Sequence, residues 1–177
     1  FPTNRVRKEG ILSMRCGICE RIDMIKKGMN PYFVAELETG YVVIGDHQYF
    51  KGYTVFICKE HYSELSELEP EFQKQFLADM ALVGKAVYNT FHPDHVQYEL
   101  HGKKGTHLLW HYFPRVHGDT PEDEGGPVWW VPKEQMFDNL KRPTKEALAD
   151  MVSAMRKELH LLQHPEEAEE EEQVQQA

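Results

Sequence analysis

The stretch THLLWHYFPR, residues 106–115, decides how this chain is read. On an extended strand side chains alternate between the two faces, so Leu108, Trp110 and Tyr112 share one side and His107, Leu109 and His111 the other. The first trio is large and needs a core, which turns His107 and His111 toward the opposite, accessible face. Imidazoles there can bind phosphate oxygens when protonated, or act as nucleophile or general acid when suitably poised. The plain alternative is an edge strand carrying polar residues on its solvent side. Leu109 interrupts the polar row with a side chain that has no lone pair and no titratable proton.

Working outward, VQYEL (96–100) reads as a partner strand, joined to this one by a Gly-Lys-Lys-Gly turn. Before it, Phe72, Phe76, Met80, Val83, Val87 and Phe91 recur at helical spacing, with Pro70 near the first turn and HPDH (92–95) ending the run. Further upstream, PYFVAEL (31–37) and YVVIGD (41–46) form a hairpin pattern around Glu38-Thr39-Gly40, and GYTVFICK (52–59) is a third β-rich run. Downstream, Leu148, Met151, Val152, Met155, Leu159 and Leu162 give a helix from about Thr144 to His164 one apolar stripe. Strands and helices are segregated rather than alternating, which predicts an α+β fold: a five-stranded antiparallel sheet with a central and a C-terminal helix.

The length of 177 residues favours one domain, expected over 15–164 with a C-terminal helical extension. Residues 1–14 read as a flexible leader, or one partly added to a natural start at Met14, and 165–177 as a disordered acidic tail. The net charge is −9, but the tail holds six glutamates, and without them the balance is −3. A polyanion-binding surface is thereby disfavoured, so no nucleic-acid partner is expected, while a small phosphorylated ligand stays open. No window approaches the roughly 20 apolar residues of a membrane span. Three cysteines, two of them in one CxxC, make no disulfide framework and suit a reducing, cytoplasmic setting.

That CxxC is Cys16-Gly17-Ile18-Cys19. Two thiolates at this spacing can grip a tetrahedral zinc if two more ligands arrive, and His61 in CKEHY and His107 are the candidates. Redox chemistry and a pair of buried, unligated cysteines are the alternatives, the first without the strand-CxxC-helix arrangement it needs.

Residues 107–115 also resemble the signature of the histidine triad superfamily of nucleotide hydrolases and transferases, His-φ-His-φ-His-φ-φ, often followed by Pro-Arg. The similarity runs over about residues 16–116, in the order CxxC, hairpin, GYTVFICKEH, helix and signature strand. It points to the bacterial branch that begins with CxxC and carries a Trp-Trp segment, here Trp129-Trp130. The resemblance implies a zinc site at Cys16, Cys19, His61 and His107. It also implies a nucleoside pocket at Ile44, Gly45 and Asp46, with Asp46 as ribose acceptor or, alternatively, a turn-capping aspartate. A phosphate grip is implied at His101, Thr106 and His111. The implied ligands are purine nucleotides, including dinucleoside polyphosphates, and the implied assembly is a homodimer.

The family's nucleophile is the middle histidine, and here that position is Leu109. Covalent nucleotidyl transfer through this position is chemically impossible. What remains expected is a nucleotide-binding protein of phosphoanhydride or phosphoramidate hydrolase ancestry, catalytically impaired, with His111 in a supporting role. Three origins of the leucine are open: a natural relative without the family's catalysis, a substitution introduced into an active enzyme, or a different chemistry supplied by another histidine such as His101. The rival from a different class is a non-catalytic, zinc-stabilised dimeric interaction scaffold.

Overall fold

β-branched and aromatic residues cluster where the chain forms a five-stranded antiparallel sheet of order β1-β2-β3-β5-β4. The strands are β1 Phe33–Glu36, β2 Gly40–Ile44, β3 Thr54–Cys58, β4 His95–Leu100 and β5 Leu109–Arg115. They are seen in a computed structural model that describes residues 16–100, 105–120 and 126–175. The expected leader, His101 and the last two tail residues lie outside the described residues. β5 runs between β3 and β4, so His111 faces Val55 on one side and Glu99 on the other.

One face of the sheet carries the main core. Helix α2 (Pro70–Phe91) starts with proline in its first turn, where the missing N–H costs nothing, and ends on His92 in a left-handed conformation with φ of 51°. It lays Phe76, Val83 and Val87 against Val42, Phe56, Leu108 and Tyr112. Helix α4 (Lys145–Gln163) opens on Thr144, whose hydroxyl accepts from the Ala147 N–H at 3.2 Å. Its Leu148, Val152, Met155 and Leu159 close the same core. The expected alternation along the signature strand is met: Leu108 and Tyr112 are buried in this core, with Trp110 packed against it.

The opposite face is not open. Helix α1 (Gly17–Lys26) covers it, burying Ile22 and Ile25 against Tyr41, Val43, Val55 and Ile57, so β2 and β3 are buried at every position. The apolar spacing Ile18, Ile22, Ile25 was the signal for this helix, which the reading from sequence left unassigned. As a result the expectation of an accessible His107 is corrected: its residue exposure is 4%. His111, on β5 itself, is half-buried.

After β5 the chain passes through a 3₁₀ turn at Val128–Trp130 and a short helix α3 (Lys133–Met136). Residues Pro165–Gln175 form a helix, α5. Glutamate, glutamine and alanine are strong helix formers, Pro165 suits a first turn, and His160 Nε2 lies 2.7 Å from Glu167 Oε2. Among the described residues no helix is long and apolar enough to cross a membrane.

Candidate functional site

Two arrangements meet along the α1-covered face of β5. The first begins at Cys16, which caps α1 by accepting from the Cys19 N–H at 3.5 Å. That turn of helix brings both sulfurs to the mouth of β5, where they meet His61 and His107, with the four ligand atoms within 4.8 Å of one another. Cys19 Sγ lies 3.4 Å from His61 Nδ1 and 3.5 Å from His107 Nδ1, and Cys16 Sγ lies 3.9 Å from His107 Nδ1. A tetrahedral ion bonded at about 2.3 Å to sulfur and 2.05 Å to nitrogen would set each S···N pair about 3.6 Å apart. The observed distances bracket that value.

The surrounding groups suit such an ion. His107 Nε2–H donates to the Cys58 carbonyl at 2.7 Å, which leaves the Nδ1 lone pair turned toward the sulfurs. Burial lowers the His107 pKa, favouring the neutral ring that a cation needs. Burial, with Cys16 adding to it, pushes the Cys19 thiol up to about 12, so only a nearby cation would make it a thiolate near neutrality. Both cysteines are free thiols rather than a disulfide.

The second arrangement centres on His111. Its Nδ1 lies 2.5 Å from the Tyr53 hydroxyl. Burial raises the Tyr53 pKa, so the phenol keeps its proton beside the imidazole. The Tyr53 ring is parallel to Phe113 (centroids 4.7 Å, 1°) and near-parallel to His111 (5.9 Å, 14°). Gly45 permits this, because a Cβ there would sit 2.0 Å from Tyr53 Cδ1. Gln48 secures the same loop, donating from Nε2 to the Gly45 and Tyr53 carbonyls and accepting from the Gly52 N–H.

Between His111 and the segment after β5 lies a cavity of about 300 Å³. Tyr53, Phe113, Trp129 and Phe137 are among its walls, with Glu99 and Lys133 supplying one charge of each sign. His47 also lines it. Arg115 holds the outer wall from one end: its buried guanidinium donates to the Gly126 carbonyl at 2.6 Å and to both oxygens of Asp119 at 2.7 and 3.0 Å. The Gln48 N–H donates to the Lys141 carbonyl at 2.7 Å and holds it from the other.

Among the described residues implied by resemblance for nucleotide contact, His111 alone lines this cavity. Ile44 turns its side chain into the main core and is fully buried, so it can offer a ligand backbone only. Gly45 lies beneath Tyr53. Asp46 is engaged by both terminal nitrogens of Arg21 on α1. Burial works against the Asp46 charge, yet the guanidinium holds its carboxyl below the ordinary value. Thr106 is exposed, its carbonyl accepting from Ser63 Oγ at 2.9 Å. Leu109 packs against the apolar cluster of α1, Val55 and Ile57, midway between the two arrangements. Tyr53 and Arg21 were missed from sequence because nothing local marks a tyrosine or an arginine that acts across the fold.

No family model matches the sequence, and no curated protein sequence matches it. Among solved structures, a histidine triad protein from Bradyrhizobium japonicum aligns over 72% of this chain and 89% of its own, at 17% identity and a TM-score of 0.61. A zinc-bound histidine triad family protein from Mycobacterium smegmatis aligns over 86% and 99%, at 21% identity and a TM-score of 0.58. A hypothetical histidine triad nucleotide-binding protein from Sulfolobus tokodaii aligns over 81% and 93%, at 19% identity and a TM-score of 0.61.

Proposed function

The chain has the histidine triad fold, and from that premise we propose a nucleotide-binding member of the histidine triad superfamily, built on one structural zinc ion and lacking the superfamily's nucleophile. The observation that carries the reading is the order along one face of β5 and the residues that lead into it. His107 joins a four-donor cluster, His111 opens on a cavity, and Leu109 between them is packed into apolar surroundings. A leucine cannot attack phosphorus, and its neighbours there offer hydrocarbon rather than a substitute base.

Each residue then has a limited task. Zinc, when bound, would supply charge that keeps two thiolates together, and through Cys16 and Cys19 it would pin α1 to the sheet. His111, oriented by its hydrogen bond with Tyr53, would contact a phosphate oxygen without acting as nucleophile. Asp46 would reach a ribose only by exchanging Arg21 for hydroxyl donors. The ligands are purine nucleoside phosphates or dinucleoside polyphosphates. Thermal melting with AMP and ADP tests binding, since a ligand that binds the native state alone must raise the midpoint. No rise at concentrations that saturate ordinary nucleotide sites would remove the nucleotide reading.

We place the protein in the cytoplasm as a homodimer. Free cysteines support the first, and the open sheet edges at β1 and β4, which pairing or covering would protect, support the second. Sedimentation at micromolar concentration decides the assembly, a monomer counting against it. One observation favours the rival scaffold: Arg21 already satisfies the proposed ribose acceptor. An unchanged melt with AMP, together with a metal-dependent dimer, is what that rival requires.

A further inference from the structure

The cavity beside His111 is made from residues that the triad signature does not contain. Its inner wall is a run of near-parallel rings, His111, Phe113 and Tyr53. Its outer wall comes from the segment after β5, where Trp129 is 68% and Phe137 55% exposed although both line the cavity. Large aromatic side chains left this accessible on a cavity are unusual for a face that only serves packing. The wall is also held at both ends, by Arg115 on Gly126 and by Gln48 on Lys141, so a ligand need not order it first.

We propose that this cavity is a stacking site for one planar aromatic ring, taken between the inner ring wall and Trp129 with Phe137. Its size of about 300 Å³ lies at the lower limit of ordinary ligand pockets and suits a single ring system rather than a whole dinucleotide. Glu99 and Lys133 bring opposite charges to the lining, which favours a neutral ring over a polyanion. Stacking needs no base-specific hydrogen bonds, so a nucleobase and an aromatic amine share the required chemistry. The identity of the ring as a nucleobase rests on the function proposed above; the stacking site itself does not.

The test uses the full chain and calorimetric titration with three probes: AMP, adenosine and indole. The double variant Trp129→Ala/Phe137→Ala trims the outer wall at exposed positions, Met136→Trp fills the cavity instead, and Trp130→Ala deletes an equal ring outside the lining. Melting curves establish that each variant is folded. At least one probe should bind the unaltered chain, and both wall variants should weaken it by about tenfold or more, the usual range for loss of base–aromatic stacking. Trp130→Ala should leave it within about twofold, as expected for a residue without contact to the ligand. Binding of indole without AMP or adenosine, lost in the wall variants, would uphold the stacking site and end the nucleotide reading. Binding of AMP that neither wall variant weakens would overturn the stacking site and leave the nucleotide reading standing. No binding of any probe at millimolar concentration would overturn the stacking site as well.

Discussion

Replacing Arg115 with methionine removes a cation from one of the most enclosed places in the molecule while keeping a flexible chain of similar length. The Arg115 side chain is 2% exposed and that of its partner Asp119 is 10% exposed. The guanidinium donates to both Asp119 oxygens, to Gln97 Oε1 at 2.7 Å and to the Gly126 carbonyl, and it lies 5.0 Å from the centre of the Phe50 ring. In Arg115→Met the partly buried Asp119 carboxylate keeps the Val116 N–H but loses its cation, and the Gly126 carbonyl loses its donor. Breaking a fully buried pair from one side costs about 3–5 kcal/mol, and the partial exposure of Asp119 puts this one at the lower end of that range. For a chain of this size that lowers the melting midpoint by roughly 6–20 °C. The pH dependence has a definite sign. Burial opposes the Asp119 charge, yet Arg115 holds its folded pKa below the usual value, so the stabilisation is present above the unfolded pKa and is lost as pH falls through the folded one. The deficit of the variant should therefore be full at neutral pH and fade below about pH 4, where the unpaired carboxyl is protonated. Urea denaturation of Arg115→Met, Asp119→Asn and the double variant, at neutral and acid pH, measures both quantities and the coupling between them. A deficit under about 1 kcal/mol, or one that does not change with pH, would refute the account of Arg115 as a paired, buried cation.

Four further outcomes follow from the same geometry. Protein purified without added metal should carry one zinc per chain, and Cys19→Ser should lower the content severalfold; less than a tenth of an equivalent in the unaltered chain, with both thiols freely reactive, ends the zinc assignment. Leu109→His should create turnover of an adenosine phosphoramidate where the unaltered chain shows almost none, at a stability cost of about 1–3 kcal/mol because the imidazole enters an apolar cluster. Equal rates in the two proteins would show that position 109 has no catalytic part. Gly45→Ala should cost about 1–3 kcal/mol, since the added Cβ must displace the Tyr53 ring from His111 and Phe113; an unchanged melt would mean the ring is not held there. Tyr53→Phe removes the hydrogen bond to His111 but keeps the stacked ring, so it should shift the His111 titration followed by NMR while moving the melting midpoint by only a few degrees.

Periodicity alone determined the sheet and its two large helices. The alternation of residues 106–113 and the helical spacing from Phe72 to Phe91 each demand one buried face, and burial is satisfied by few other arrangements. The candidate ligands were legible too: the two thiols and two imidazoles were singled out by residue type and by resemblance, and the fold brings all four together. Which face of β5 is open to solvent was not legible. That depends on α1, which arrives from the other end of the described chain to bury His107, and strand alternation says which residues share a side but never what covers it. The neighbours of Asp46 and His111 were hidden for the same reason. Arg21 lies 25 residues from Asp46 and Tyr53 lies 58 from His111, and a contact across such separations leaves no local pattern. The cavity belongs wholly to the tertiary structure: its inner wall is β5 with Tyr53, its outer wall is the Trp129 segment, and the buried Arg115, the backbone bond from Gln48 and the packing of Val128 and Val131 on Phe50 and Phe113 bring the two into register.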